Sequence, residues 1–192
     1  MKRTSMRPFL AAFLALAFTV GAQAQGKCSA KGLMGGKKFE MKQCAISYFD
    51  DEHSVTIWFS ETPISAEEVK TFELSAYPPD HDASGKPRTM LHLSFCPGGG
   101  KASPRPEAVH SVEFWMNHAE SPLLGRQWVL QLPRDKELKV EKVSGDLKLG
   151  GRLAGRVTGV KTSDGLPYSW EIDFDLSLPA KSAASGVNCG AP

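Results

Sequence analysis

The clearest pattern in the chain spans residues 168–178, where Tyr168, Trp170, Ile172, Phe174, Leu176 and Leu178 alternate with Ser169, Glu171, Asp173, Asp175 and Ser177. Six apolar residues at strict period two define a strand with one buried and one wet face. Just upstream, residues 153–160 lead into Thr162-Ser163-Asp164-Gly165, a turn composition, so the two segments are expected to form a hairpin. With Lys161 set opposite Leu166, Val157 pairs with Trp170 and Leu153 with Phe174 on the inside. On the outside, Arg156 meets Glu171 and Arg152 meets Asp175. The acidic stripe Glu171, Asp173 and Asp175 therefore reads as a solvated face balanced by arginines rather than as a cation site.

Residues 54–60 alternate in the same way, with Val55, Ile57 and Phe59 on one side. Stretches 42–49, 89–96, 109–118, 126–132 and 137–143 also read as strands, set apart by turn-rich pieces such as Asp50-Asp51-Glu52-His53 and Pro97-Gly98-Gly99-Gly100. Gly150-Gly151 marks a bulge or bend. One short helix is expected over 65–71, because Ser65 and Glu68 have the spacing of a capping box just after Pro63. The expected fold is all-β: an antiparallel β-sandwich of roughly eight to ten strands with one short helix, the alternative being a closed lipocalin-like barrel.

The N-terminus changes the setting of this domain. Lys2, Arg3 and Arg7 precede an apolar run over 10–20 and a small-residue stretch ending Ala22-Gln23-Ala24, the order of a secretory signal. The run falls short of the roughly 20 apolar residues of a permanent span. Cleavage is expected after Ala24, or alternatively after Ala22, and Cys28 lies too far downstream to carry a lipid anchor. The expected organisation is a cleaved signal peptide at 1–24, a single β domain at 25–179 and a C-terminal tail at 180–192 tied by a disulfide. No further segment has spanning length, so the mature chain is expected to have no transmembrane segment and to be periplasmic or secreted. The leader's basic residues account for the formal charge of +2. Without them the chain is slightly acidic and has no basic cluster, which argues against nucleic acid as a partner.

Four cysteines, an even number in an oxidising compartment, predict two disulfides, Cys28 to Cys44 and Cys96 to Cys189. No close Cys-x-x-Cys pair offers a metal alternative.

The chain has no Gly-x-Ser-x-Gly elbow, His-Glu-x-x-His helix or Pro-Cys-x-x-Cys motif. Gly98-Gly99-Gly100-Lys101 has Phe95 where the first glycine of a phosphate loop belongs, and Asp80-His81-Asp82 follows Pro78-Pro79 as a surface loop would. The repeated Met-x-His, at Met90 and His92 and again at Met116 and His118, has the soft ligands that suit copper. Period two, however, sends the two pairs to opposite faces. His110 sits on the apolar parity of its strand, as a core histidine would. No catalytic, cofactor-binding or metal residue is assigned.

Trp58 and Trp115 stand apart, because both fall on the polar parity of their strands and so form the candidate binding surface. The functional expectation is an exported, non-catalytic binding or inhibitory module that recognises a protein or envelope component in the periplasm. Two alternatives are a periplasmic hydrolase drawing on scattered residues such as His92, His110 and Asp173, and a copper-binding carrier.

Overall fold

Ten strands and one helix run through the described residues: β1 (Gly26–Met34), β2 (Lys37–Met41), β3 (Gln43–Phe49), β4 (Ser54–Ser60), α1 (Ala66–Ser75), β5 (Thr89–Phe95), β6 (Val109–Met116), β7 (Gln127–Gln131), β8 (Lys139–Gly145), β9 (Arg152–Ser163) and β10 (Leu166–Ser177). The structure, a computed structural model, describes residues 26–49, 54–75, 84–85, 88–96, 109–116, 127–131, 138–163 and 165–181. For 72–75, 110, 113–116 and 127–131 it describes the backbone course alone. The expected leader at 1–24, the tail beyond 181 with Cys189, the loops at 50–53, 80–82 and 97–101, and His118 lie outside the described residues.

The strands form two five-stranded antiparallel sheets, ordered β2-β1-β10-β9-β8 and β3-β4-β5-β6-β7. This is the sandwich and not the closed barrel, because among the described residues no ladder joins a strand of one sheet to a strand of the other. The chain crosses between sheets at Lys42, where β2 ends and β3 begins. The disulfide Cys28–Cys44 staples β1 to β3 at that corner. Cys96 is also disulfide-bonded.

Between the sheets lies the main core. Met41, Trp170, Ile172, Phe174 and Leu176 from the first sheet face Ile46, Ile57, Phe59, Leu91, Leu93 and Phe95 from the second. Phe174 and Phe95 meet edge to face across the gap, with ring centroids 5.6 Å apart.

The hairpin β9–β10 differs from expectation in one respect. Leu166 pairs with Ser163, so Ile172 faces Val157, Leu176 faces Leu153 and Phe174 faces Gly155. The register is displaced by two residues because the connection is a two-residue Asp-Gly loop, the tightest and best-twisted hairpin turn, rather than a four-residue one. Since the displacement is even, every side chain keeps its face.

A second hairpin, β1–β2, carries no strong alternation. Its turn is Gly35-Gly36, both at positive φ (58° and 84°), as a two-residue hairpin turn requires. β1 then pairs with β10, so the N-terminal strand closes onto the C-terminal one.

The helix begins as the capping box predicts. The Glu68 N–H donates to Ser65 Oγ at 3.2 Å, and the Ser65 N–H donates to Glu68 Oε2 at 2.7 Å. Arg88, whose side chain is 1% exposed, ties the helix start to β5 through Glu68 at 3.0 Å and the Pro63 carbonyl at 3.2 Å. Val69 of α1 and Ile64 thus cover Ala45, Trp58 and Met90 in a second, smaller core on the far side of the second sheet. Gly150 and Gly151 belong to the turn between β8 and β9, where Gly150 has φ 69°.

Candidate functional site

The two outer faces of the sandwich differ in kind. On the second sheet, β3, β4 and β5 are buried almost throughout, on both sides. Trp58 is 2% exposed and stacks on the ring of His92 at 4.3 Å with planes 10° apart. The expectation of Trp58 as part of an open binding surface is therefore corrected. Its parity was read correctly, but Ile64 and α1 cover that face. Trp115 occupies the next row, opposite Met90 and Trp128 in the register; its side chain lies outside the description.

On the same covered face, Ser94 Oγ and Ser111 Oγ share a hydrogen bond at 2.6 Å. Register places Glu113 opposite His92 and makes His110 the extra residue of a β-bulge, since Ser94 pairs with Ser111 and Phe95 with Val109. The three residues of the hydrolase alternative do not converge: Asp173 bonds Arg156 on the outside of the first sheet, whereas His92 lies on the far side of the second. The two Met-x-His pairs are likewise separated. Met90 is opposite Trp115, which puts the next residue, Met116, on the opposite face of β6.

On the first sheet the outer face is open and charged, and its centre is β10. Arg152 grips Asp175 with two bonds, Nε to Oδ1 at 2.5 Å and Nη2 to Oδ2 at 2.6 Å. Arg156 reaches Glu171 at 2.6 Å and Asp173 at 3.3 Å, and Lys31 reaches Glu171 at 3.3 Å. Both expected pairs, Arg156–Glu171 and Arg152–Asp175, exist despite the displaced register, because arginine spans the diagonal to a residue two positions along the neighbouring strand.

These contacts hold the acids ionised. The Lys31 hydrogen bond, with Arg156 beside it, keeps Glu171 below the usual carboxylate range, and the Arg152 fork does the same for Asp175. A lowered folded-state pKa gives stability that is present above the unfolded value and lost as pH falls through the folded one. The thermal midpoint gap between the wild type and Arg152→Gln is therefore expected to be widest at neutral pH and low salt, and to close on acidification or in molar salt. Melts across pH 2 to 7 check it, and a gap that widens toward acid would contradict this account of the face.

Toward the turn end of β9–β10 the same face forms an open groove of about 1090 Å³ that crosses all five strands. Two rows of cross-strand neighbours build it. One runs Lys38, Leu33, Ser169, Val160; the other runs Glu40, Lys31, Glu171, Thr158, Lys139. Val160 is 53% exposed, a large aliphatic left in water on a polar face. Sequence reading passed over it, although the parity argument that singled out Trp58 applies equally: with Leu153 and Val157 inside, Val160 falls outside.

Among the described residues no group of three His, Cys, Asp or Glu side chains is placed to hold a metal ion, and no helix is long and apolar enough to cross a membrane. Set against known protein families, curated proteins and solved structures, the chain matches none.

Proposed function

We propose that the chain is an exported, non-catalytic binding or inhibitory module that recognises a protein or envelope component in the periplasm, and that it binds through the outer face of the first sheet. The groove across that sheet is the observation that carries the reading. A rigid five-stranded surface presents exposed Val160 and half-buried Leu33 inside a rim of charge, the pattern of an apolar centre with a polar border found in recognition surfaces. The inter-sheet disulfide fits an oxidising compartment, where such bonds persist.

A photoreactive amino acid placed at Val160 in the full chain, exported by a bacterial host, tests the reading. An adduct is expected from position 160 and not from Lys148, which is exposed in the turn between β8 and β9. Val160→Asp should remove capture of the same species by the affinity-tagged chain while leaving the melting midpoint in place. Equal adducts from both positions, or capture untouched by Val160→Asp, would defeat the proposal.

A further inference from the structure

We infer that the groove takes an extended acidic peptide laid across the strands, with apolar side chains over Leu33 and Val160 and carboxylates reaching Lys38 at one edge and Lys139 at the other; this rests on the reading of that face as the recognition surface. Some of the charges on the lining are already neutralised. Glu171 is held by Lys31 and Arg156, and Glu40 by Lys42 at 2.8 Å. Among the described residues neither Lys38 nor Lys139 has an acidic partner, and Glu61 is the one lining carboxylate without a cation. Two unneutralised lysines against a single acid favour an anionic ligand.

The positions of those lysines set its length. Lys38 lies on β2 and Lys139 on β8, the two edge strands of the sheet. Four strand spacings separate them, roughly 19 Å at about 4.8 Å each. An extended peptide covers that distance in about six residue steps, and side chains alternate, so every second one faces the sheet. The row that starts at Lys38 offers Leu33 and Val160, two aliphatic side chains that match two apolar residues on the ligand, and Lys139 ends the neighbouring row beside Thr158. The aromatics bordering the groove, Phe39 and Trp170, are 7% and 2% exposed and turn inward, so they offer no open ring face for a sugar to stack on. Nucleic acid is disfavoured because phosphate recognition needs a run of cations, and here acids interrupt it.

The test uses a fluorescein-labelled peptide, Asp-Ser-Leu-Thr-Val-Ser-Asp, and a control in which lysine replaces both aspartates, read by fluorescence anisotropy on the full exported chain. The acidic peptide is expected to bind at least about tenfold more tightly than the control, with the preference shrinking as salt is raised. Lys38→Glu with Lys139→Glu should erase the preference, and since both lysines are exposed and make no ion pair among the described residues, the melting midpoint should hold. Equal binding of the two peptides, no binding of either, or a preference surviving the double variant would overturn the inference. So would binding of a heparin fragment or of phosphatidylglycerol vesicles with no binding of the acidic peptide. If adducts form at Val160 but the acidic peptide does not bind, the ligand class is wrong and the recognition face stands; if neither occurs, both fall.

Discussion

Phe174→Ala is expected to cost the fold about 3 to 5 kcal/mol, the range for truncating a buried aromatic. The reason lies in its neighbours. Phe174 is 4% exposed, meets Phe95 of the opposite sheet edge to face, and lies between Cys28 on β1 and Gly155 on β9 in the register. The glycine has no side chain to move into the space, so the cavity stays open. A Cβ built on Gly155 would approach the Phe174 ring to 2.7 Å. Gly155→Ala should therefore destabilise the wild type clearly and the Phe174→Ala background much less, with the coupling of about 0.5 to 3 kcal/mol expected of residues in contact. By contrast, Asp173→Ala on the solvent side should change stability by less than about 0.5 kcal/mol, as surface substitutions do. Denaturant melts of the four variants check all three statements. Additive effects of Phe174→Ala and Gly155→Ala, or a larger loss from Asp173→Ala than from Phe174→Ala, would show that the inner and outer faces have been misassigned.

The alternation that makes Phe174 inner and Asp173 outer was readable from the chain because β10 sits mid-sheet with one face wet, the condition under which period two is cleanest. Its register was not, since the turn composition at 162–165 fits both a four-residue and a two-residue loop, and only the ladder distinguishes them. The N-terminal hairpin escaped notice for another reason. The inner face of β1 carries Cys28, Ala30 and Gly32 ahead of Met34, and three small residues opposite Phe174, Ile172 and Trp170 give its alternation little contrast. Gly35-Gly36 was the legible signal.

The site was legible only in half. Parity placed Trp58 on the outer side of β4, as the register confirms, but period two cannot say whether an outer face is wet. Thr56, Ser94 and Ser111 look like a solvated row, and all three are at most 1% exposed. Small hydroxyls can be covered at modest cost when they bond one another, as Ser94 and Ser111 do. Around Trp58 what turns that face inward is α1 with Ile64, a packing decided by tertiary contacts that no local window contains. The groove on the other sheet is built from ten or more residues on five strands whose order, β2-β1-β10-β9-β8, sets the first two strands beside the last three. A reading made segment by segment has no access to that neighbourhood.

Removing the staple between the sheets should be the other large effect. Cys28 and Cys44 are 16 residues apart in sequence, and closing a loop of that size restricts the unfolded chain by about 3 kcal/mol. The bridge also joins β1 to β3 where the chain turns the corner at Lys42, so the two sheets are held at the edge where β2 leaves one and β3 enters the other. The double variant Cys28→Ser with Cys44→Ser is the appropriate probe, since a single substitution would leave a thiol able to exchange with the Cys96 disulfide. Its expected loss of about 3 kcal/mol corresponds to a fall of roughly 6 to 12 °C in melting midpoint for a domain of this size. The denaturant slope should rise as well, because an unfolded chain without the cross-link expands and exposes more surface. A midpoint shift below about 2 °C would mean that packing between the sheets positions β1 and β3 unaided and that the bond merely records their proximity. A large shift with an unchanged slope would move the stabilisation from the unfolded chain to the native corner, and the same variant examined by hydrogen exchange would then show protection lost first at β1 and β2.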